Sequence, residues 1–414
     1  MAKPAKFTTL RHASKAPRLA AAALVSGLAL AAQAQPKAGA FHPAIEGLTD
    51  VKSLDVAADQ DRLHVLLVGD FAQRRQVAVA YASSADGGRS WSRPAFIAPE
   101  DAPPSISRRG NDARLAVRGR SLVAVWQAKS ELPGTGPIAV ATSTDGGKTW
   151  RAGANPAAGD ATHNQSHAAV ALDQAGNIHL AWLDDREENG NTQGLRYAKS
   201  TDGGRHWQPE ATVDATTCTC CWTRLSVLPD QSLLLLYRDD APHDMRLAGL
   251  RRGEGRWRDL GQVGRFDWDF TGCPHCGGGL AVTGGGRGAA LHSVVWTGRD
   301  GMAGLYYLRS TDRGGHWSPP LQVAGDQARE SDIAAQPGGA VGLAFIPGRT
   351  AEATVRFQVS RDAGRHWSAP VPLAAPGTIV DHPRVVATSR GFRVFWTEVR
   401  PGGGKTWTMA APSI

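Results

Sequence analysis

The chain reads as an all-β protein, a β-propeller of four-stranded blades, with seven as the expected blade number. Three observations predict this. The motif Ser-x-Asp-x-Gly-x-x-Trp recurs five times along the chain. Short apolar strands stand at matching places between the copies. The composition also suits tight turns, with 48 Gly and 13 Trp among 414 residues, 42% hydrophobic and 20% charged. That mix excludes a coiled coil, a disordered chain and a helical bundle.

The motif copies run Ser84–Trp91, Ser143–Trp150, Ser200–Trp207, Ser310–Trp317 and Ser360–Trp367. Their acids are Asp86, Asp145, Asp202, Asp312 and Asp362; their indoles are Trp91, Trp150, Trp207, Trp317 and Trp367. The spacings between acids are 59, 57, 110 and 50 residues, and the long gap holds a worn copy at Gly253–Trp257. A second worn copy, Gly403–Trp407, stands near the chain end. Each part has a local duty. The carboxylate accepts backbone N–H groups of its own turn. Glycine takes the positive φ of the turn, and Trp covers apolar surface between neighbouring units. These are structural residues rather than catalytic ones.

The second strand of each unit can be counted directly. Val65–Leu67, Val123–Trp126, Leu180–Trp182, Leu234–Tyr237, Val294–Trp296, Leu343–Phe345 and Val394–Trp396 make seven. Units of this length with about four strands each pack radially into one ring. The chain ends about three strands into the last unit. The segment 41–48 is therefore expected to supply the missing strand and close the ring.

The motif resembles the Asp-box, or BNR repeat, of the sialidase superfamily, and the resemblance covers nearly the whole mature chain. It implies a sialidase-like propeller, although sialidases of that family have six blades, one fewer than counted here. It also implies an exo-α-sialidase-type glycoside hydrolase. The family's first arginine lies in an Arg-Ile-Pro motif near the mature start, where this chain reads Phe41-His42-Pro43-Ala44-Ile45-Glu46. The family's nucleophile is a Tyr beside a Glu, whereas Tyr81, Tyr197, Tyr237, Tyr306 and Tyr307 all fall inside apolar second or third strands. Arg109, Arg114, Arg224 and Arg384 stand near inner-strand starts. The sequence assigns no catalytic residue, and the fold does not carry the activity by itself.

Residues 1–34 read as a cleaved secretory signal. Lys3, Lys6, Arg11, Lys15 and Arg18 precede the apolar run Leu19–Ala32, and Ala32-Gln33-Ala34 fits a cleavage site. The expected mature domain is 35–414, periplasmic or secreted, with no membrane span. Without the leader's five cations the net charge falls from +8 to +3. No basic cluster suits nucleic acid.

All five cysteines lie between 218 and 276: Cys218, Cys220 and Cys221, then Cys273 and Cys276. Cys218/Cys221 and Cys273/Cys276 are C-x2-C pairs displaced by 55 residues, about one blade. Both precede an innermost strand, so ring geometry is expected to bring them together at the mouth of the central channel. His275 sits inside the second pair, and His163, His167 and His382 hold corresponding places before other inner strands. Paired thiolates at this spacing suit a soft metal, copper ahead of zinc. The expected partner is thus a metal ion or small ligand at the channel mouth. Two other readings stay open: a binding module with structural disulfides, and a dithiol redox protein, since Cys273-Pro274-His275-Cys276 resembles the motif of periplasmic thiol-disulfide oxidoreductases.

Overall fold

The computed structural model describes residues 39–98, 103–105, 110–130, 135–160, 162–186, 193–284, 289–348, 354–374 and 378–412. The expected signal segment and Arg109 lie outside them. The described chain forms seven antiparallel sheets, each running from inner to outer strand in sequence order. Blade 1 holds β1 (Leu48–Asp59), β2 (Arg62–Phe71), β3 (Ala78–Ser84) and β4 (Ala95–Phe96). Blade 2 holds β5 (Arg114–Arg118), β6 (Ser121–Gln127), β7 (Ile138–Ser143) and β8 (Arg151–Ala152). Blade 3 holds β9 (Ser166–Leu172), β10 (Ile178–Asp184), β11 (Gln193–Ser200) and β12 (Ala211–Thr217). Blade 4 holds β13 (Arg224–Val227), β14 (Leu233–Arg238), β15 (Met245–Leu250) and β16 (Arg258–Gln262). Blade 5 holds β17 (Gly279–Thr283), β18 (Ala290–Thr297), β19 (Gly304–Ser310) and β20 (Leu321–Ala324). Blade 6 holds β21 (Glu330–Ala335), β22 (Val341–Ile346), β23 (Arg356–Ser360) and β24 (Val371–Pro372). Blade 7 holds β25 (Val380–Thr388), β26 (Gly391–Val399) and β27 (Lys405–Ala410).

The seven second strands fall where the apolar runs placed them. Blade 7 is completed from the other end of the chain, because Phe41 and Met409 exchange both backbone hydrogen bonds at 2.9 Å. The ring therefore closes by pairing the start of the domain with its last strand, which leaves no open seam.

The motif lies between third and fourth strands. In blade 2 the Ser143 hydroxyl donates to Asp145 Oδ1 at 2.8 Å and accepts the Gly147 N–H at 2.9 Å. The Asp145 carboxylate then takes the Thr149 N–H and hydroxyl at 3.0 and 2.6 Å. His206, His316 and His366 fill that last position in blades 3, 5 and 6, each with Nδ1 on its aspartate. Glycine at the fifth position does more than turn the chain. A Cβ at Gly147 would collide with the Tyr81 ring of blade 1, and one at Gly364 with Tyr307 of blade 5. The motif is thus also the contact with the preceding blade, where Trp150 packs edge-on against Tyr81 at 5.2 Å between centroids.

One expected copy is misplaced. Gly403–Trp407 is not such a turn: Gly403 and Gly404 make the bend between β26 and β27, and Trp407 lies within β27. Its glycines answer to a second-to-third-strand hairpin, so the resemblance is one of composition.

Candidate functional site

The lead-in segments before the inner strands converge on one face, where each blade holds the next. Asp55 on β1 accepts the Leu115 N–H of β5 at 2.9 Å. Asn111 accepts the His167 N–H of β9 at 2.8 Å, and Glu330 of β21 accepts the His382 N–H of β25 at 2.9 Å. His163, His167, His275 and His382 all have positive φ, between 50° and 55°. For His167 and His382 this conformation turns the N–H toward the preceding blade, at positions where the inner-strand register slips.

Three inner-strand arginines meet near the axis. Arg384 donates to Asp112 at 3.0 Å and lies 3.5 Å from Asp55. Arg114 lies 3.9 Å from Asp55, and Arg224 donates to Asp332 at 2.8 Å. Burial lowers the Arg114 pKa to about 10, helped by the charges of Arg384 and Arg224. Burial alone would raise Asp112, but His382, Arg384 and Arg114 overcome it and hold the carboxyl at about 2. The axial cavity beside them, lined by Asp112, Trp222, Glu330, His382 and Arg384, measures about 10 Å³. That is about one water, not a sugar ring. All five tyrosines lie on second or third strands.

The sulfurs occupy the same face between blades 4 and 5. The two cysteine segments do meet, but in a pairing that C-x2-C spacing does not suggest: Cys220 and Cys273 form a disulfide across the blade boundary, with Cα atoms 6.0 Å apart. Cys218, Cys221 and Cys276 remain thiols, all buried. Cys218 Sγ and Cys221 Sγ share a hydrogen bond at 2.8 Å, and Cys218 Sγ lies 3.9 Å from Cys220 Sγ. Cys221 is also hydrogen-bonded to Cys276. Two groups of ligand atoms converge within 4.8 Å among the described residues: Cys218 with Cys220 and Cys221, and Cys220 with Cys273 and His275. His163, His167 and His382 belong to neither. His167 sits beside Arg114 and His275, and burial, more than those charges, lowers its pKa to about 4. His382 faces Asp112 at 3.6 Å.

Beneath the thiols lies Arg238, at the end of β14 and 2% exposed. Its guanidinium donates to the carbonyls of Cys276 at 3.1 Å, Trp296 at 2.8 Å and His243, and to Cys276 Sγ at 3.6 Å. No carboxylate ion pair to it occurs among the described residues. Burial alone would lower its pKa, but Cys276, Cys221 and Cys218, with the carboxylate of Asp244, raise it. The contact with Cys221 holds the Cys218 thiol below its ordinary value against the effect of burial. Burial pushes the Cys221 thiol well up. Sequence reading missed Arg238; its signal was the cation that ends the apolar run Leu233–Tyr237, ahead of Asp239 and Asp240. Trp222 links the two regions: it lines the axial cavity and packs in the same apolar cluster as Cys276.

The repeat turns and the propeller ring agree with a family match: residues 54–259 match the BNR repeat-like domain. The matched half carries the BNR repeat, and its turn recurs beyond the match at Ser310–Trp317 and Ser360–Trp367. No curated protein matches the sequence significantly. Among solved structures, this BNR propeller is similar to a polysaccharide lyase, an ulvan lyase, at 12% identity and TM-score 0.57, over 88% of this chain and 94% of that one. It is also similar to the Trypanosoma rangeli sialidase, at 10% identity and TM-score 0.50, over 88% of this chain and 55% of that one. At such identities the likeness concerns the fold. Blade number departs from the six expected of the family's sialidases, as the strand count predicted.

Proposed function

We propose that this BNR propeller is an exported protein that binds a soft metal ion, Cu(I) in preference to Zn(II), through the thiols of Cys218, Cys221 and Cys276. One observation carries the reading: the buried Cys218 and Cys221 sulfurs lie 2.8 Å apart, and Cys276, a third buried thiol from the next blade, is hydrogen-bonded to Cys221 and to the buried Arg238 guanidinium. Among the described residues no carboxylate forms an ion pair with this buried cation, and Asp244 acts on it only through its field; such a cation favours anions beside it, and thiolates at Cys276, Cys221 and Cys218 would supply them. Three sulfurs suit low-coordinate Cu(I) better than tetrahedral Zn(II), which wants a fourth donor. Three thiolates with Cu(I) and Arg238 leave one net negative charge. Cys220 and Cys273 are withdrawn from the ligand set by their disulfide.

The convergent arginines favour a second reading, a glycoside hydrolase acting on an acidic sugar. It is the weaker one, because Arg114, Arg224 and Arg384 each face a carboxylate of the protein itself and the axial cavity is water-sized. Anaerobically purified protein, loaded with Cu(I) against a competing chelator, tests the first reading. One copper per chain is expected in the wild type, and Cys218→Ser or Cys276→Ser should abolish retention. No retained metal in the wild type would overturn it. Hydrolysis of a fluorogenic sialoside would establish the second reading instead.

A further inference from the structure

The five sulfurs form a continuous path from surface to core. Cys273 is exposed and bonded to Cys220. Cys220 Sγ lies 3.9 Å from Cys218 Sγ, Cys218 Sγ lies 2.8 Å from Cys221 Sγ, and Cys221 is hydrogen-bonded to Cys276. A thiol in contact with a disulfide sulfur is the starting arrangement of thiol–disulfide exchange. At the outer end, the Nδ1 or Nε2 of exposed His275 stands within 4.8 Å of both disulfide sulfurs.

We propose that the disulfide migrates inward along this path, from Cys220–Cys273 to Cys218–Cys221, and thereby creates a second soft-metal site at the rim from Cys220, Cys273 and His275. In the first step the Cys218 sulfur attacks Cys220 Sγ. The Cys218–Cys220 bond forms, the Cys220–Cys273 bond breaks, and its electron pair leaves on Cys273. In the second step the Cys221 sulfur attacks Cys218 Sγ; the Cys218–Cys221 bond forms and the electron pair leaves on Cys220. The protons of Cys218 and Cys221 end on Cys273 and Cys220. One disulfide and three thiols exist before and after, so no external oxidant or reductant takes part. The buried three-thiol set and the rim set exclude each other, because each needs sulfurs that the other state binds in its disulfide. The exchange stands on the sulfur geometry alone; the rim metal rests on the soft-metal reading above.

The test uses native, metal-free protein without reductant, pulsed with N-ethylmaleimide and then mapped by peptide mass spectrometry. In the observed state Cys273 is bonded and the thiols are buried, so direct labelling is blocked. Migration predicts one label per chain at Cys273, at a rate that reaches a ceiling as reagent is raised because exchange limits it. Cys218→Ala should abolish that label. Cys276→Ala, an equal perturbation of the buried cluster that leaves the path intact, should keep it. Label on Cys218, Cys221 or Cys276 with Cys273 still bridged, or wild-type labelling in Cys218→Ala, would overturn the migration. For the rim site, Zn(II) is added to Cys276→Ala, whose inner set lacks one sulfur. Protection of Cys273 is expected, together with an increase in the Cys218–Cys221 disulfide. His275→Ala in that background should lose both effects; unchanged protection would refute the rim site. Cys273 labelling in a wild type that retains no copper would refute the metal function and leave the migration standing.

Discussion

Two sectors of the same face hold neighbouring blades together by different chemistry. From blades 6 and 7 round to blades 1 and 2, inner strands are clasped by carboxylates: Glu330 and Asp332 onto β25, Asp55 onto β5, with Arg384 and Asp112 spanning the axis. Between blades 4 and 5 sulfur does that work. In the ionic sector Asp55, Asp112 and Asp332 each hold both a guanidinium or imidazole and a backbone or hydroxyl donor. The sulfur sector holds more than its clasp uses. One disulfide suffices as a clasp, and three further thiols sit behind it on a buried cation. Chemistry in excess of what a clasp needs is what sets the second sector apart.

The largest stability effect should come from the ionic sector. Asp112 is 4% exposed and faces Arg384, His382 and Ser53. Asp112→Ala removes the nearest carboxylate from the buried Arg384 guanidinium, leaving Asp55 at 3.5 Å, and should cost roughly 3–5 kcal/mol in chemical denaturation. The sign with pH follows from its position at about 2. A depressed carboxyl contributes above its unfolded value and loses that contribution as pH falls, so the gap between wild type and variant should shrink from about pH 4 toward pH 2. A variant as stable as the wild type at pH 7 would mean that the axial pairs do not clasp the ring.

The sulfur clasp should come next. Cys220 and Cys273 are 53 residues apart, and a bridge over a loop of this size contributes about 2–4 kcal/mol. Cys273→Ser should lose that amount, and reductant should bring the wild type down to the variant's melting temperature while leaving the variant unmoved. Equal melting temperatures with and without reductant in the wild type would show that the staple carries no stability.

Much of this was legible in the chain itself, for a physical reason. The repeat turns are local: Ser143, Asp145, Gly147 and Thr149 satisfy one another within a single turn, so spacing alone reveals them. Strand count, ring closure through Phe41 and the meeting of the two cysteine segments follow from the same periodicity. The Cys220–Cys273 pairing did not, because C-x2-C spacing reports sequence neighbours whereas the bridge depends on how two blades are offset in space. Arg238 escaped for a similar reason. Its partners are carbonyls of Cys276, Trp296 and His243, which carry no side-chain signature.

The smallest effect separates an intact repeat turn from the worn one in blade 4. Ser200 is fully buried; its hydroxyl accepts the Gly204 N–H at 2.9 Å and donates to Asp202 at 3.0 Å. In blade 4 the corresponding positions are Leu250, Arg252 and Glu254. That turn holds instead through the Glu254 N–H on Arg251 O at 3.0 Å and an exposed Arg258–Glu254 pair at 3.1 Å. The groove there, bordered by Asp173, Tyr197 and Trp257, reaches about 800 Å³. Ser200→Ala should cost about 1–2 kcal/mol, since it leaves a buried N–H unmet. Arg258→Ala should cost less than about 0.5 kcal/mol, since water screens an exposed pair. If the two substitutions cost the same in paired melts, the worn turn would be as tightly held as the intact one. The loss of its serine and aspartate would then not account for the open groove beside it.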